Sequence, residues 1–556
     1  MKTRTTVCGF LKKGGLDMGI YLNPGNIGFK EIQNADYVDK TGLIRLVNST
    51  IGTKKNLTCI SRPRRFGKSY AAKMLCAYYD KSCDSDALFS KYEIAKDESY
   101  ETHINKYHVI NLDITGFISE VNMQGGSLRE IPKIISDTIK GEVENLYPDI
   151  PKAESLNAEL VALVEKTGTP IVFIIDEWDS LIREAGKDEE AQKRYLNLLR
   201  SWFKNNNFTP KVVAAAYMTG ILPIKKDGSQ SAISDFNEYS MLRPGKYAGY
   251  IGFTEEEVQN LCEESHRDFN RMKKWYDGYA VGKKHSVYNP YSVMSAIESG
   301  MYSSYWKQTT AAETLMTYID MDQDGLQDDI ARLIAGERII VDTGNFQNDV
   351  ETFTGKDDVL TLLIHLGYLT YEEVADSYDE EDETVTGFAH IPNEEVRTEF
   401  EKILRKAKHK NLIALVKRSD QLLKDTLDGN AEAVAKAIGD VHDSEYAPTF
   451  YNNEQSLRYV VKMAYISCVD QYAKVEELPS GHGIADIVFL PKRSSQLPAM
   501  IVELKWNKGV EGALAQIKEK NYPKILENYG GGIVLVGLNY NESTKIHKCT
   551  IERKLK

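Results

Sequence analysis

The sequence predicts an α/β protein with a parallel-sheet core and a small α/β domain near its C-terminal end. Three observations favour this fold class. A β-rich run leads into Gly67-Lys-Ser69 and a helical stretch, a second apolar run ends in Asp176-Glu177, and two later apolar runs carry Asp486 and Glu503. Charged side chains are costly inside buried strands, so these positions are candidates for functional sites.

Length and composition bound the classes to which the protein can belong. The 556 residues are enough for about two to four domains, each with its own core. A hydrophobic content of 42% and a charged content of 27% are typical of a globular protein. The net charge of −12 argues against general coating of nucleic acid, so a nucleic-acid site must be a local basic patch.

The seven cysteines are scattered and form no CxxC pair, so neither a disulfide framework nor a zinc site is expected. A reducing, cytoplasmic location is the natural expectation. No apolar run approaches the length of a membrane span, and no apolar segment follows Lys2 and Arg4. We therefore expect neither a membrane partner nor a secretory signal.

Sequence patterns divide the chain into four regions. Residues 1–17 are predicted to be an N-terminal extension, and residues 18–245 the parallel-sheet core. Residues 246–445 are predicted to form a helical lid and a winged-helix-like region, and residues 446–556 the small C-terminal α/β domain.

The first motif is a phosphate-binding loop. The β-rich run Leu57–Ser61 precedes Arg62-Pro-Arg-Arg-Phe-Gly-Lys-Ser69, and a helical stretch runs from Tyr70 to Tyr79. Strand, loop and helix follow one another as a P-loop requires. The first glycine of Gly-x-x-x-x-Gly-Lys-Ser is replaced by Arg62, and a Gly-Lys-Ser can also occur by chance. The predicted nucleotide-binding residues here are Arg62, Pro63, Arg64, Arg65, Phe66, Gly67, Lys68 and Ser69.

Each of the last three loop residues has an expected role. Gly67 lets the backbone approach phosphate, Lys68 reaches the β- and γ-phosphates, and Ser69 ligates magnesium. The buried-strand pattern Thr169–Trp178 then ends in two acids. Asp176 would hold magnesium through water, and Glu177 would polarise the attacking water, although the pair could also cap the next helix.

Two further candidate positions are Thr219, at the end of the strand-like run 211–220, and Arg243, which follows that run. Thr219 lies where a polar sensor of the γ-phosphate is expected, or is simply a threonine at a strand end. Arg243 could be an arginine finger reaching a neighbouring γ-phosphate, or a surface residue. Thr254 and Glu257 have the spacing of a capping box that begins the lid. A helix over 359–367 and two β runs predict the winged-helix-like module, with an acidic tip at 376–383.

The C-terminal motif lies on the runs 481–490 and 500–506. A period of two places Glu503 and Lys505 on one face of a strand, and pairing of the two runs would bring Asp486 to them. Two carboxylates and a lysine can hold a hard divalent cation and direct a water at a phosphodiester. The alternative is a surface hairpin with ordinary charges, which the apolar residues of both runs disfavour.

Five segments together resemble the AAA-ATPase-like family, from residue 18 onward. The resemblance implies a P-loop NTPase core with a helical lid, ATP and Mg²⁺ as ligands, and homo-oligomerisation. An arginine at the first P-loop position is usual in that family, which accounts for Arg62. The segments are Arg62–Ser69, Asp176-Glu177, Thr219–Ile224, Trp275–Tyr279 and Val287–Ser292.

The C-terminal order α-β-β-α-β, with Asp486 followed by Glu503-x-Lys505, resembles the PD-(D/E)xK nuclease superfamily and implies a restriction-endonuclease-like fold. By this resemblance Asp486 and Glu503 bind Mg²⁺ or Mn²⁺, and Lys505 orients the water or stabilises the transition state. Glu454 is an additional metal ligand, while Gln516 and Tyr522 are accessory residues. Two departures are Ile484, at a position often held by arginine, and Ala485 before the first acid.

The sequence therefore predicts an ATP-driven switch coupled to a metal-dependent nuclease that acts on nucleic acid, with DNA favoured over RNA, and with phage defence or mobile elements as its context by analogy. C-terminal lysines could form a basic patch or an ordinary solvated surface, and Trp506 could stack on a base or pack in the core. One rival is an ATPase whose nuclease fold only binds nucleic acid. Another is a regulatory or scaffold protein that binds nucleotide without turnover.

Overall fold

The chain divides into two compact units, residues 1–311 with 340–398 and residues 312–339 with 399–556. The predicted boundaries at 245/246 and 445/446 stay predictions. The structure, a computed structural model, describes residues 18–35, 37–224, 233–282, 284–306, 326–334, 338–344, 346, 353, 355–373, 386–406, 410–445, 457–458, 460–461, 464–465, 468, 472–480, 483–491, 497–507 and 532–554.

The first unit contains a sheet of five parallel strands in the order β2-β3-β4-β1-β5. The predicted strands over 57–61, 169–175 and 211–220 are confirmed, while β2 and β5 were not predicted. The carboxyl ends of parallel strands meet at one edge, which is where ligands bind in such sheets. The strands are β1 (Leu57–Ser61), β2 (His108–Asp113), β3 (Ile171–Asp176), β4 (Val213–Gly220) and β5 (Asn237–Tyr239).

Helices pack against both this sheet and one another because its strands are apolar on both faces. Phe173 in β3 is fully buried, with its ring 5.3 Å from both Trp202 and Phe203. The helices are α1 (Ile27–Gln33), α2 (Gly42–Asn48), α3 (Lys68–Tyr79), α4 (Asp86–Phe89), α5 (Tyr100–His103), α6 (Ile114–Met123), α7 (Ile131–Leu146), α8 (Leu156–Thr167), α9 (Ser180–Ala185), α10 (Glu189–Phe203) and α11 (Thr209–Val212), with 3₁₀ turns at Glu93–Lys96, Leu128–Glu130 and Gly245–Tyr247.

The predicted lid follows the core as three helices and a small sheet. The capping box is confirmed, because the Thr254 hydroxyl accepts from the backbone N–H of Glu257 and the Glu257 carboxylate accepts from that of Thr254. The elements are β6 (Phe253–Thr254), α12 (Glu255–Glu264), α13 (Phe269–Tyr276), β7 (Tyr279–Val281), β8 (Lys284–Tyr288) and α14 (Pro290–Ser299).

The predicted helix and hairpin of the winged-helix-like module are present. Helix α16 ends at Gly367, whose φ of 83° lies in the left-handed region that terminates helices. Strands β10 and β11 form an antiparallel pair, and the sheet order is β10-β11-β9. The acidic tip at 376–383 lies outside the described residues. The elements are β9 (Ile339–Asp342), α16 (Lys356–Leu366), β10 (Thr370–Glu373), β11 (Thr386–His390) and α17 (Glu394–Lys406).

The second unit contains a mixed five-stranded sheet in the order β12-β13-β14-β15-β16. All neighbouring pairs are antiparallel except β14 and β15, which are parallel. Strands β13 and β14 match the predicted runs 481–490 and 500–506, and β15 is the last strand of the predicted α-β-β-α-β order, whereas β12 and β16 were not predicted. The elements are α15 (Leu326–Ile334), α18 (Lys410–Asp428), α19 (Ala431–Glu445), β12 (Tyr472–Ser480), β13 (Gly483–Pro491), β14 (Ala499–Trp506), β15 (Ile533–Asn541) and β16 (Ile546–Lys554).

The N-terminal extension 1–17 and the second helix of the predicted α-β-β-α-β order, with Gln516 and Tyr522, also lie outside the described residues. Among the described helices, none combines the length and the apolar character needed to cross a bilayer.

Candidate functional site: a nucleotide cavity and a two-acid centre

The loop between β1 and α3 has the backbone geometry of a phosphate-binding loop. Gly67 caps α3 with φ 88°, a left-handed conformation that side chains disfavour, and Arg65 has φ 69°. Helix α3 then begins at Lys68, so its first backbone N–H groups and the positive end of its dipole face the loop. The sequence fixes this local geometry through glycine at the position where the chain turns into the helix.

Lys68 lies across the loop. Its Nζ donates to the carbonyl oxygens of Arg62, at 3.1 Å, and Pro63, at 3.0 Å, and lies 3.5 Å from Oε1 of Glu177. The side chain is 4% exposed. The ammonium group is thus held between the loop backbone and an acid from β3, where an incoming phosphate could replace the carbonyl contacts.

At the end of β3, Asp176 and Glu177 lie next to Thr219 at the end of β4. The Thr219 hydroxyl donates to Oδ1 of Asp176, and the backbone N–H of Glu177 lies 3.1 Å from the same oxygen. Glu177 has φ 52°, which is unusual for a residue other than glycine and costs about 1 kcal/mol. This backbone turn directs Glu177 towards Lys68.

Arg183 completes the charged cluster behind Glu177. Its Nη2 lies 3.1 Å from Oε2 of Glu177, and its Nε donates to Oδ2 of Asp179 at 3.0 Å. Burial would lower the pKa of Arg183, but the carboxylates of Asp179 and Glu177 outweigh burial and raise it. Arg183 was not predicted, because no sequence pattern reveals which acid a helix cation will meet.

Asp113 is a second residue that the sequence interpretation missed. It ends β2 in register with Asp176, on the adjacent parallel strand, and accepts the backbone N–H of Thr115 at 3.0 Å. Burial, which removes water from the carboxylate, and the negative charge of Asp176 both raise the pKa of Asp113. The available signal was the apolar run Val109–Leu112 ending in an acid, the same pattern that identified Asp176.

These groups open onto one cavity of about 1170 Å³. The volume is ample for a nucleoside triphosphate with solvent. Asp113 also lines the cavity, as do eight of the residues predicted from the sequence: Arg64, Arg65, Phe66, Gly67, Lys68, Ser69, Asp176 and Glu177.

Arg62, Pro63 and Thr219 do not line the cavity. The Arg62 side chain is completely buried and its Nη1 donates to the carbonyl oxygens of Ser61, at 2.9 Å, and Tyr239, at 3.0 Å. Burial lowers the pKa of Arg62 to about 10. The guanidinium therefore braces the end of the sheet, a placement that argues against the expected side-chain contact with nucleotide. Thr219 contacts two residues that do line the cavity: its hydroxyl donates to Asp176 and accepts the backbone N–H of Glu177 at 3.4 Å.

Part of the cavity lining is aromatic and apolar. The guanidinium of Arg65 lies 4.2 Å from the ring centre of Tyr291, and its Nη1 donates to the carbonyl oxygen of Tyr305 at 2.7 Å. The loop is thereby joined to the lid. These wall residues were not predicted from the sequence; they are Tyr37, Tyr250, Phe253, Met294 and Ile297.

The donor set in the cavity fits a magnesium ion bound together with phosphate. Magnesium is commonly held by one or two protein oxygens, with phosphate oxygens and water completing the octahedron. Ser69 and Asp176 both line the cavity and can supply a hydroxyl and a carboxylate oxygen. Within the described ranges no group of three or more His, Cys, Asp or Glu side chains could hold a metal ion by itself.

The predicted two-acid centre lies in the sheet of the second unit. Strand pairing Ile487↔Val502, continued by one position, sets Asp486 beside Glu503. Lys505 Nζ lies 3.4 Å from Oε1 of Glu503, as the period of two predicted. The Glu503 side chain is 1% exposed and that of Lys505 11% exposed, so the surface-hairpin alternative does not describe this site.

Both oxygens of Asp486 have partners. Oδ2 accepts the backbone N–H of Leu504 at 2.8 Å, and Oδ1 lies 2.8 Å from Nη2 of Arg458. The Arg458 contact was not predicted. Two carboxylates near one lysine fit a magnesium or manganese ion that takes its other ligands from water and a phosphodiester.

Other predicted residues of this domain have mixed outcomes. Glu454, Gln516 and Tyr522 lie outside the described residues, so their roles stay predictions. The Trp506 ring lies 4.9 Å from that of Tyr540, which shows packing against the sheet. Among the described basic residues of the predicted patch, Lys545, Lys548 and Arg553 are exposed.

Arg243, the predicted arginine finger, is exposed and does not line the cavity of its own chain. Its predicted role as an arginine finger stays a prediction.

The strand order, the loop and the acids at the sheet edge define the core as a P-loop nucleotide-binding domain. Comparison with known families specifies both domains. Residues 25–229 match the family model described as "Predicted AAA-ATPase", and residues 431–550 match that of the PD-(D/E)XK nuclease superfamily. The two matched regions are thus similar to an AAA-ATPase family and to the PD-(D/E)XK nuclease superfamily, in the order that the motifs predicted. No curated protein matches the chain.

Several solved structures are distantly similar. Aeropyrum pernix ORC2 in ADPNP–ADP complexes is 11% identical and the match covers 67% of this chain and 96% of that one, with a TM-score of 0.29. A. pernix ORC1 in complex with DNA is 11% identical, with coverage of 71% and 99% and a TM-score of 0.25. C. elegans PCH-2 is 13% identical, and the match covers 62% of this chain and 72% of that one, with a TM-score of 0.23. The fold assignment depends on strand order and site geometry and not on these similarities.

Proposed function

We propose that the protein is an ATP-hydrolysing switch that controls a magnesium-dependent nuclease acting on DNA. The observation that carries the ATPase part is the convergence of Lys68, Ser69, Asp176 and Glu177 on one cavity at the carboxyl edge of a parallel sheet. Phosphoryl transfer needs positioning and charge stabilisation more than covalent chemistry, and this set of side chains supplies both.

The roles follow from placement. Lys68 exchanges its contacts with the loop carbonyls for the β- and γ-phosphates of ATP. Ser69 and Asp176 hold Mg²⁺, which when bound neutralises charge that develops on the phosphate oxygens. Glu177 accepts a hydrogen bond from the attacking water and orients it in line with the γ-phosphate. Thr219 fixes Asp176 and thereby transmits the state of the site to β4.

In the second unit, Asp486 and Glu503 would hold a divalent cation, and Lys505 would orient the hydrolytic water or stabilise the pentavalent phosphorus. A Lys505 ammonium with 11% exposure beside Glu503 is suited to act at short range, because little water screens it. Glu454 and Gln516 complete the proposed centre. The exposed Lys545, Lys548 and Arg553 support binding to a nucleic-acid backbone, with DNA the proposed substrate.

A second candidate function has one specific observation in its favour. Arg458 contacts one oxygen of Asp486 and the N–H of Leu504 contacts the other, so both oxygens of this carboxylate have protein partners without a metal ion. In that alternative the chain is an ATP-dependent nucleic-acid-binding regulator or scaffold whose nuclease fold is inactive.

ATP turnover separates an ATPase from a passive nucleotide binder. We expect Lys68→Ala to abolish binding of a fluorescent ATP analogue. Glu177→Gln should retain binding and lose turnover by about 10²- to 10⁴-fold, the usual range for loss of a group that acts on the attacking water. Glu184→Gln, a neighbouring acid that also lines the cavity, serves as the matched control. Equal turnover by wild type and Glu177→Gln would refute the hydrolytic role.

A further inference from the structure

We infer that Arg458 is the mobile counter-ion of the C-terminal centre: it occupies Asp486 when no divalent cation is bound, and it binds the phosphodiester once a cation displaces it. The inference rests on the proposed nuclease function and assigns a role to a residue outside the Asp486, Glu503 and Lys505 set. Arg458 lies on a helical segment at 457–458, and Asp486 lies on β13.

The first step is the geometry of Asp486. Its side chain is 12% exposed, and the N–H of Leu504 on the adjacent strand fixes one oxygen at 2.8 Å. The carboxylate is therefore held in one orientation, with Oδ1 turned to the Arg458 guanidinium at 2.8 Å. A charge-assisted contact of this length is a strong one, and a metal ion must approach the same carboxylate.

The second step is charge balance. Among the described residues, Asp486 and Glu503 contribute two negative charges and Lys505 and Arg458 two positive charges, so each acid is already paired with a base without metal. A divalent cation added to this set would leave an excess of positive charge in a largely buried place, which is unfavourable. This charge balance favours displacement of one of the two basic groups when the cation binds.

The third step identifies which group moves. Lys505 is 11% exposed and its partner Glu503 is 1% exposed, whereas Arg458 is 20% exposed and is the more accessible of the two cations. A guanidinium has a planar set of donors that suits a phosphate as well as a carboxylate. Exchange of the Asp486 carboxylate for the substrate phosphodiester keeps Arg458 paired in both states.

The test is calorimetric titration of the full-length chain with Mn²⁺ alone, with Asp486→Asn as the blank that defines binding at this centre. We expect Arg458→Met to bind Mn²⁺ about tenfold more tightly than wild type, the scale expected for removal of one neighbouring charge. Arg458→Lys, which keeps the charge, should stay near wild type. Arg418→Met, on an exposed residue of the same unit, is the matched control.

The second readout is affinity for duplex DNA with Ca²⁺ in place of Mn²⁺. Arg458→Met should weaken it about tenfold and reduce the salt dependence by about one phosphate contact. Mn²⁺ affinity no tighter than in Arg418→Met, or unchanged DNA affinity, would overturn the inference. If Arg458→Met does not fold, as judged by circular dichroism, Arg458→Gln provides the same comparison.

DNA cleavage is scored separately. Tighter Mn²⁺ binding and weaker DNA binding by Arg458→Met, together with a wild type that cleaves no nucleic acid, would support the Arg458 inference and refute the proposed nuclease. Cleavage by wild type, together with identical Mn²⁺ affinities for wild type and Arg458→Met, would support the proposed nuclease and refute the Arg458 inference.

Discussion

Arg183 and Lys68 hold the two oxygens of one carboxylate: Nη2 of Arg183 lies 3.1 Å from Oε2 of Glu177, and Nζ of Lys68 lies 3.5 Å from Oε1. Glu177 also has a positive φ, so both its backbone and its side chain are constrained. The proposed water-orienting group is thus fixed in place before substrate binds, which is the form of preorganisation that hydrolysis of a phosphate requires.

Removing Arg183 tests whether this constraint matters for turnover. We expect Arg183→Met to lower kcat for ATP hydrolysis about tenfold with little change in KM, because the variant loosens Glu177 while leaving the loop and Lys68 in place. Steady-state kinetics give the split directly. A rise in KM at unchanged kcat would instead assign Arg183 to substrate binding.

Asp179 links the same arginine to the fold. Its side chain is 2% exposed, and its Oδ2 accepts the backbone N–H groups of Ile221 and Leu222 as well as Nε of Arg183. Asp179→Ala should lower the free energy of unfolding by about 2–4 kcal/mol, since it leaves buried donors without an acceptor. Asp137→Ala, on the exposed face of α7, should change it by about 0.5 kcal/mol or less. Urea denaturation followed by tryptophan fluorescence measures both, and equal effects would refute this structural role.

Asp113 offers a test of the sheet edge that the sequence did not reveal. Because it lies in register with Asp176 and lines the cavity, its charge should help to attract the Mg²⁺ that accompanies ATP. We expect Asp113→Asn to raise the Mg²⁺ concentration needed for half-maximal ATPase activity several-fold, with a smaller effect on kcat. An unchanged Mg²⁺ requirement would exclude Asp113 from the metal environment.

How much the sequence could predict depended on whether the chemistry lay within contiguous residues. The loop before Ser69, the acids at 176–177 and the alternation of Glu503 and Lys505 are local, so their spacing was enough. Strand β2 was missed because Asn111 interrupts its apolar pattern. Arg183 and Arg458 were missed because their partners are fixed by tertiary packing, which no local pattern records. Arg62 was misjudged because its position in the loop does not reveal that the side chain turns inward.

Stability should fall in acid because of two buried histidines. Burial lowers the pKa of both His108 and His365 to about 3, with Lys81 adding to the effect at His108 and Arg62 at His365. An unfolded histidine has a pKa of about 6.5, so below that pH the unfolded chain binds protons that the folded chain does not. The stabilising contribution is therefore present above about pH 6.5 and is lost as the pH falls towards 3.

Replacing one histidine should reduce this dependence. The slope of unfolding free energy against pH between about 6 and 4 should decrease in His108→Gln by up to about 1.4 kcal/mol per pH unit. His266→Asn is the control, because His266 is exposed and its φ of 54° is tolerated by asparagine. An identical slope in wild type and His108→Gln would contradict the assignment.

The central claim is that one chain joins an ATPase to a metal-dependent nuclease under nucleotide control. The most direct measurement is the cleavage of end-labelled duplex DNA with Mg²⁺, with and without ATP, by wild type, Glu177→Gln and Asp486→Ala. We expect wild type to cleave at a rate that changes when ATP is added. Glu177→Gln, which should bind ATP without hydrolysing it, should cleave at the constant rate of the ATP-bound state. Asp486→Ala should not cleave. Absence of cleavage by wild type, or equal cleavage by Asp486→Ala, would contradict the claim.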